Sequence, residues 1–88
     1  EMQIAEINEP VKVRADFSPG GKVAPLLIKR RDRRVFRVTR VNSTWEDREQ
    51  QKKLLYFSVS VEESDDVFQL CYREEDRTWM LECVMQEG

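Results

Sequence analysis

The chain has 88 residues, of which 36% are charged and 40% hydrophobic, with a net charge of −2 and a pI near 5.2. This length fits one domain with a modest core and leaves no room for a second. No apolar run approaches the roughly 20 residues of a membrane helix, and no basic start followed by an apolar stretch suggests a signal peptide. We therefore expect a single cytoplasmic domain over residues 1–88, with Glu1 interpreted as a tag remnant and Met2 as the native initiator methionine.

Period-2 alternation of apolar and polar side chains predicts strands in most of the chain. The first strand alternates from Val11 to Asp16, and the turn at 18–21 ends it because its glycines readily adopt positive φ. The next two strands, 25–30 and 34–42, are joined by a short link at Arg31-Asp32. This link predicts a tight hairpin in which Asp32 takes the left-handed conformation.

The third strand changes phase part-way along its length. Phe36 and Val38 share a face, but Val41 and Trp45 resume the apolar pattern out of phase, which predicts a β-bulge near Thr39-Arg40. The polar segment 43–53 contains the capping-box pattern Ser43-x-x-Glu46. It is compatible with a short helix inside a connection and equally with a loop.

Three further strands are expected at 54–61, 67–72 and 79–85, linked by turns. Six strands with mostly short links predict an all-β antiparallel meander that closes into a small barrel or rolled sheet, because closure hides exposed edges. The alternation predicts this core: Val11, Val13, Leu26, Ile28, Phe36, Val38, Val41, Trp45, Leu55, Phe57, Val59, Phe68, Leu70, Trp79, Leu81 and Cys83.

Charge is distributed unevenly along the chain. Residues 29–40 carry seven basic side chains and one acid, whereas residues 62–88 carry nine acids and two arginines. The two fields cannot fully cancel, because the Debye length of about 8 Å at physiological salt is shorter than the width of a small domain. The near-neutral total therefore hides a basic hairpin suited to an anionic partner.

Nucleic acid, or a protein of nucleic-acid metabolism, is the first candidate partner, because phosphates need matching cations and bases need aromatic surfaces. Arginine predominates over lysine, which suits bidentate contact with phosphate or carboxylate. The predicted binding residues are Arg30, Arg31, Arg33, Arg34, Arg37 and Arg40, with Tyr56 as a stacking surface. The alternative is that these arginines pair with the acidic turns or keep the hairpin soluble, which the acidic pI favours.

A protein-interaction module, or a homo-oligomer with complementary charged faces, is the second candidate. Leu54, Tyr56, Met80 and Val84 are predicted to point outward from their strands. One continuous apolar patch would favour a protein interface, whereas a covered set would be additional core.

The residue types argue against an enzyme and against a metal or cofactor. The chain has no histidine, and its acid pairs lie at predicted turns, where solvation is the usual explanation. Cys71 and Cys83 lack CxxC spacing, and the alternation places Cys83 toward the core and Cys71 on the opposite face. We therefore predict two free thiols and no metal site.

A resemblance appears in a set of short motifs that covers most of the chain, from about Pro10 to Val84. The motifs are Glu9-Pro10-Val11, Ala24-Pro25-Leu26, Arg33-Arg34-Val35-Phe36-Arg37-Val38, Trp45, Tyr56-Phe57, Val67-Phe68-Gln69-Leu70-Cys71-Tyr72 and Trp79-Met80-Leu81. The chain resembles a family of short bacterial all-β domains of unknown function, found alone or attached to relatives of Y-family DNA polymerases. It differs from that pattern at Arg31-Asp32, where a glycine is common. The resemblance implies a cytoplasmic β-domain linked to nucleic-acid metabolism, and it assigns no catalytic residue.

Overall fold

The structure, a computed structural model, describes the backbone of residues 2–87 and the side chains of residues 2–86. It contains six strands: β1 (Met2–Phe17), β2 (Val23–Lys29), β3 (Val35–Glu49), β4 (Lys52–Val61), β5 (Ser64–Arg73) and β6 (Thr78–Glu87). Each strand pairs antiparallel with the next, and β6 pairs back onto β1, so the sheet closes. The predicted all-β antiparallel meander is confirmed.

β1 and β3 are long enough to belong to both halves of the barrel. The first part of β1 pairs with β6 as far as Val11, and the rest pairs with β2 from Lys12. β3 pairs with β2 only over Val35 to Arg37, and from Val38 onward it pairs with β4. The result is a three-stranded half, made of the end of β1, β2 and the start of β3, and a five-stranded half made of the remainder.

The core lies between these two halves. Ile28, Val59, Leu70 and Leu81 are fully buried, and burial of such a side chain stabilises a fold by roughly 1.5–3 kcal/mol before entropy is counted. The Trp79 ring lies 5.5 Å from Phe57 and 4.7 Å from Tyr72. Phe36 of the three-stranded half packs on Phe68 of the five-stranded half at 4.9 Å. These contacts tie the two halves together.

Segment 43–53 is neither the short helix nor the loop that its sequence suggested. β3 continues through Ser43 to Glu49 and pairs with β4 up to the Glu49–Lys52 pair. Gln50 and Gln51, with φ of 52° and 66°, form the two-residue turn, and positive φ at both positions is typical of tight hairpins. Ladder hydrogen bonds along β4 outweigh a capping signal, because an isolated short helix is marginal in water.

Extra residues in the strands explain where the predicted core was wrong. The predicted bulge is confirmed, with Thr39 extra on β3, and Asn42 is a second extra residue. On β2 the extra residue is Leu26, so Pro25 and Ile28 are buried while Leu26 is 41% exposed. Val41 and Trp45 are also exposed, because they lie where β3 has separated from β2.

A bulge in β6 reverses the prediction for its last residues. Glu82 is extra relative to β5, so Val84 joins Trp79 and Leu81 in the core and Cys83 lies half-buried on the other face. The predicted outward set is therefore split, with Val84 and Leu54 buried. Cys71 is buried although its strand position is outward, beside its cross-strand neighbours Tyr56 and Met80.

Burial raises the pKa of both cysteine thiols, and both cysteines are free.

Within residues 2–87 no helix is long and apolar enough to cross a membrane.

Candidate anion-binding surface

The turn between β2 and β3 places arginines at the rim of the three-stranded half. The Arg33 N–H donates to the carbonyl of Arg30 and the Arg30 N–H donates to the carbonyl of Arg34, each at 2.9 Å. Arg33 is the left-handed residue of this turn, with φ of 74°, rather than the predicted Asp32. Glycine is the usual residue in this conformation, and a residue with a Cβ costs about 1 kcal/mol more there.

Asp32 binds Arg34 of its own turn rather than Arg31 or Arg33. Its carboxylate accepts hydrogen bonds from the backbone N–H of Arg34 at 3.0 Å and from Nε of Arg34 at 2.7 Å. The backbone hydrogen bond is the main reason that the pKa of Asp32 is lowered. The Arg34 guanidinium also lies 5.6 Å from the centre of the Phe36 ring. The single acid of the basic hairpin is thus used by Arg34, and Arg31 and Arg33 keep their charge free.

Glu9 of β1 holds the hairpin against the first strand. Its Oε1 accepts from Nη2 of Arg30 at 3.0 Å, and its Oε2 accepts from Nε of Arg30 at 3.3 Å and from the Arg31 backbone N–H at 3.0 Å. The side chains of Glu9 and Arg30 are only 13% and 16% exposed. The Arg30 hydrogen bond is the main cause that lowers the pKa of Glu9 and raises that of Arg30. The Arg30 side chain is therefore already paired with Glu9, and for this reason it is not counted among the free cations of the groove.

The register of β1 against β2 adds lysine to the site. Lys12 lies directly opposite Lys29, in the row next to that of the partly buried Val13 and the buried Ile28 and Phe36, so both lysines point outward. Like charges directly opposite each other in a sheet are destabilising by a few tenths of a kcal/mol to about 1 kcal/mol. Neither lysine forms an ion pair with any side chain from residue 2 to residue 86. The outer face thus concentrates positive charge, and this lowers the stability of the fold at that position.

The cations surround a groove of about 590 Å³ on the outside of the three-stranded half. Its lining residues are Pro10, Val11, Lys12, Lys29, Arg30, Arg31 and Arg33. Arg14 lies one row further along β1 on the same outer face, opposite Leu27. We call five cations in and beside this groove the basic face: Lys12, Arg14, Lys29, Arg31 and Arg33. None of the five forms an ion pair with side chains 2–86.

Three of the six predicted arginines lie outside this groove. Arg37 is on the outer face of β3, where Glu62 approaches its Nη1 at 3.7 Å and Glu63 accepts from its backbone N–H at 2.8 Å. Arg34 is held by Asp32. Arg40 is exposed, lies opposite Ser60 in the five-stranded half, and has no ion pair with side chains 2–86. The acidic turn at β4–β5 therefore neutralises Arg37 and leaves the basic face untouched.

Tyr56 is separated from the basic groove and belongs to a different surface. Its ring stacks on Trp45, with centroids 5.4 Å apart and an interplanar angle of 5°. Both residues line a second groove, of about 550 Å³, between the diverging parts of β2 and β3. Desolvation, with smaller effects from Cys71, Glu82 and Asp47, raises the pKa of Tyr56 to about 12. Nearby acids make this ring's surroundings less suitable for phosphate than the basic face.

Sequence reasoning missed Lys12 and Arg14, although their alternation with apolar residues marked them as outward on the first strand. A search for cations in a continuous run cannot find them, because Arg14 lies 15 positions and Lys12 17 positions before Lys29, the first residue of the basic hairpin. Pairing of β1 with β2 brings them to the site, and the Leu26 bulge shifts that register beyond Arg14.

Comparison with known proteins adds nothing to this geometry: no family model matches the chain, and no match is found among curated proteins or solved structures. The resemblance to the bacterial β-domain family remains a hypothesis from the sequence.

Proposed function

We propose that this domain is a non-enzymatic binding module that holds the phosphate backbone of a nucleic acid on the basic face. The observation that carries the proposal is the Lys12–Lys29 pair, two like charges directly opposite each other on an outer face without a neutralising acid. An anion between two such lysines turns a repulsive contact into two attractive ones. Arg33, which is in the left-handed conformation, is a second residue that lowers the folding stability and places a cation at this groove.

The spacing of the basic face suits a chain of phosphates rather than one isolated anion. Lys12 and Arg14 lie two residues apart on one strand, which separates them by about 6.8 Å, and neighbouring strands lie about 4.8 Å apart. Arg31 and Arg33 extend the same surface beyond the end of β2. A ladder of cations in several rows can contact successive phosphates of an extended strand.

The chemistry of the groove favours binding without base recognition. Its apolar lining consists of Pro10 and Val11, and no aromatic side chain lines it. Aromatic stacking is what holds bases in many single-strand sites. Affinity here would come from phosphate contacts, so it would depend on salt and hardly on sequence.

Fluorescence anisotropy with labelled single-stranded and duplex oligonucleotides at low and physiological salt tests this proposal. Three phosphates contacted by the basic face give a slope of log K against log salt of about −2 for a single strand, since each contact contributes about 0.7. We expect the double variant Arg31→Ala with Arg33→Ala to flatten this slope by about 0.7–1.4. Absence of binding at low salt would overturn the proposal.

A matched control separates a local site from net charge. The double variant Lys52→Ala with Lys53→Ala removes the same amount of positive charge at the opposite end of the barrel, where both lysines already pair with acids. Its affinity and salt slope should stay close to those of the unmodified chain. Equal weakening in both double variants would mean that binding reflects total charge, and the basic face would lose its assignment.

A further inference from the structure

The end of β3 is an open strand edge. Its pairing with β2 stops at Arg37, and from Val38 to Glu49 the only register partners within residues 2–87 are on β4. Every residue from Thr39 to Glu49 is exposed. An edge of this kind presents a row of unpaired N–H and C=O groups that another extended chain can pair with. The edge is long, and no strand within residues 2–87 pairs with it; residues 21–24 form the far wall of the groove beside Val41 and Trp45.

A fixed aromatic side chain stands in the middle of this edge. Trp45 is 42% exposed, and one face of its indole stacks on Tyr56, which anchors the ring without hiding it. Val41 is also exposed, at 38%, and lines the adjacent groove together with Trp45. Aromatic residues are enriched at the centres of protein interfaces, where they add contact area at a small entropic cost.

Opposite charges stand at the two ends of the edge. Arg40, Trp45 and Asp47 lie on the outward face of β3, because their partners Ser60, Tyr56 and Leu54 alternate with the core residues of β4. Neither Arg40 nor Asp47 forms an ion pair with side chains 2–86, and Asp47 Oδ1 accepts a hydrogen bond from the Arg48 backbone N–H at 2.7 Å. An edge that begins with a base and ends with an acid is complementary to its own antiparallel copy, since each charge then faces the opposite one.

We infer that a second copy of this chain pairs with the open edge, β3 against β3 in antiparallel orientation, to form a two-fold symmetric dimer. With the pairing centred on Thr44, and Asn42 left as an extra residue, Arg40 faces Asp47 of the partner subunit twice. Trp45 then lies close to the two-fold axis. The interface is of the closed kind, in which the same patch serves both subunits, so assembly stops at two. No residue of the basic face lies on this edge, so the dimer carries two basic faces.

Sedimentation from micromolar to millimolar concentration tests the dimer, whose mass is twice the 10.5 kDa of the chain. The single reversals Arg40→Asp and Asp47→Arg each place like charges in contact at both ends of the interface. We expect each to raise the dissociation constant at least about tenfold, because like-charge contacts across an interface are strongly unfavourable. The double variant Arg40→Asp with Asp47→Arg restores opposite charges and should recover most of the affinity.

The control is Arg77→Asp, a reversal of the same sign at the β5–β6 turn, where φ of 56° is a conformation that aspartate tolerates. It should leave the dimer unchanged, and far-ultraviolet circular dichroism checks that every variant is folded. A chain that stays monomeric at millimolar concentration overturns the inference. So does a double variant that associates no better than the single ones, or a mass that grows beyond the dimer without a plateau.

Discussion

Both ends of the barrel carry basic and acidic side chains, and the two ends differ in which of them form ion pairs. At the β3–β4 and β5–β6 turns, Lys52 pairs with Glu75, and Lys53 lies between Glu46 and Glu74. On β1, β2 and the β2–β3 turn, none of the five cations of the basic face has an ion pair with side chains 2–86. Near the other two turns Arg48, Arg73 and Arg77 also lack an ion pair with the described side chains, but each is next to an acidic residue in the chain. Charge count therefore does not decide whether a basic segment is neutralised. The strand register decides it, by choosing which side chains face each other.

The largest effect should come from the ion pair that borders the basic groove. Glu9→Gln removes a half-buried carboxylate that accepts three hydrogen bonds, which we expect to lower the free energy of unfolding by about 2 kcal/mol at pH 7. The folded pKa of Glu9 lies below the ordinary value of 4.5, mainly through Arg30. The stabilisation is therefore complete above that value and disappears as the pH falls through the folded pKa.

Urea denaturation of both proteins at pH 7 and at pH 2 measures this effect. The gap in unfolding free energy between the unmodified chain and Glu9→Gln should narrow at the lower pH, because protonation of Glu9 weakens its bond to Arg30. Glu46→Gln, which removes one partner of an exposed pair at the other end, is the control and should show a much smaller gap. A gap that persists undiminished at pH 2 would mean that the charge of Glu9 is not its source.

The next effect distinguishes a binding surface from a solvated one. Lys29→Glu places opposite charges across from each other at Lys12, which should raise stability by about 0.2–1 kcal/mol. The same change should weaken oligonucleotide binding about tenfold at low salt, equivalent to about 1.4 kcal/mol. Denaturation and anisotropy on one preparation measure both. Loss of stability in this variant would show that the two lysines do not repel each other.

Arg33→Gly sharpens the comparison within the turn itself. Glycine takes the left-handed conformation without strain, so stability should rise by about 0.5–1 kcal/mol while the salt slope of binding falls by about 0.7. Arg31→Gly is the matched change, since it removes the same charge at a position that is not left-handed. Thermal unfolding should separate the two variants. Equal stability changes would contradict the strain at Arg33.

The smallest effect belongs to the paired end. Lys53→Met removes a side chain in two exposed ion pairs, and such pairs contribute about 0.5 kcal/mol or less at physiological salt. Stability should change by no more than that amount, and nucleic-acid affinity should not change measurably. A marked loss of affinity would mean that the two ends do not differ in function.

Much of the fold could be predicted from the sequence because alternation is a local signal. The strand order, the all-β meander, the Thr39 bulge and core residues such as Phe57, Leu70 and Leu81 all follow from it. The second half of β3 could not be predicted, since its residues are polar and exposed and only pairing with β4 keeps them extended. Sequence reasoning identified only part of the candidate site. Arg31 and Arg33 are in the basic run, whereas Lys12 and Arg14 reach it from another strand.

The sequence by itself determined that this chain is a closed antiparallel sheet with a basic hairpin, because apolar periodicity and charge order are properties of neighbouring residues. Only the tertiary structure decided which side chains face the core and which face outward. Extra residues at Leu26, Asn42 and Glu82 each shift a strand by one position, and a shift of one position moves every following side chain to the other face. The tertiary structure also decided which cations have no ion pair and which strand edge has no partner within the described residues. Those outcomes depend on pairing between distant segments, which no local pattern records.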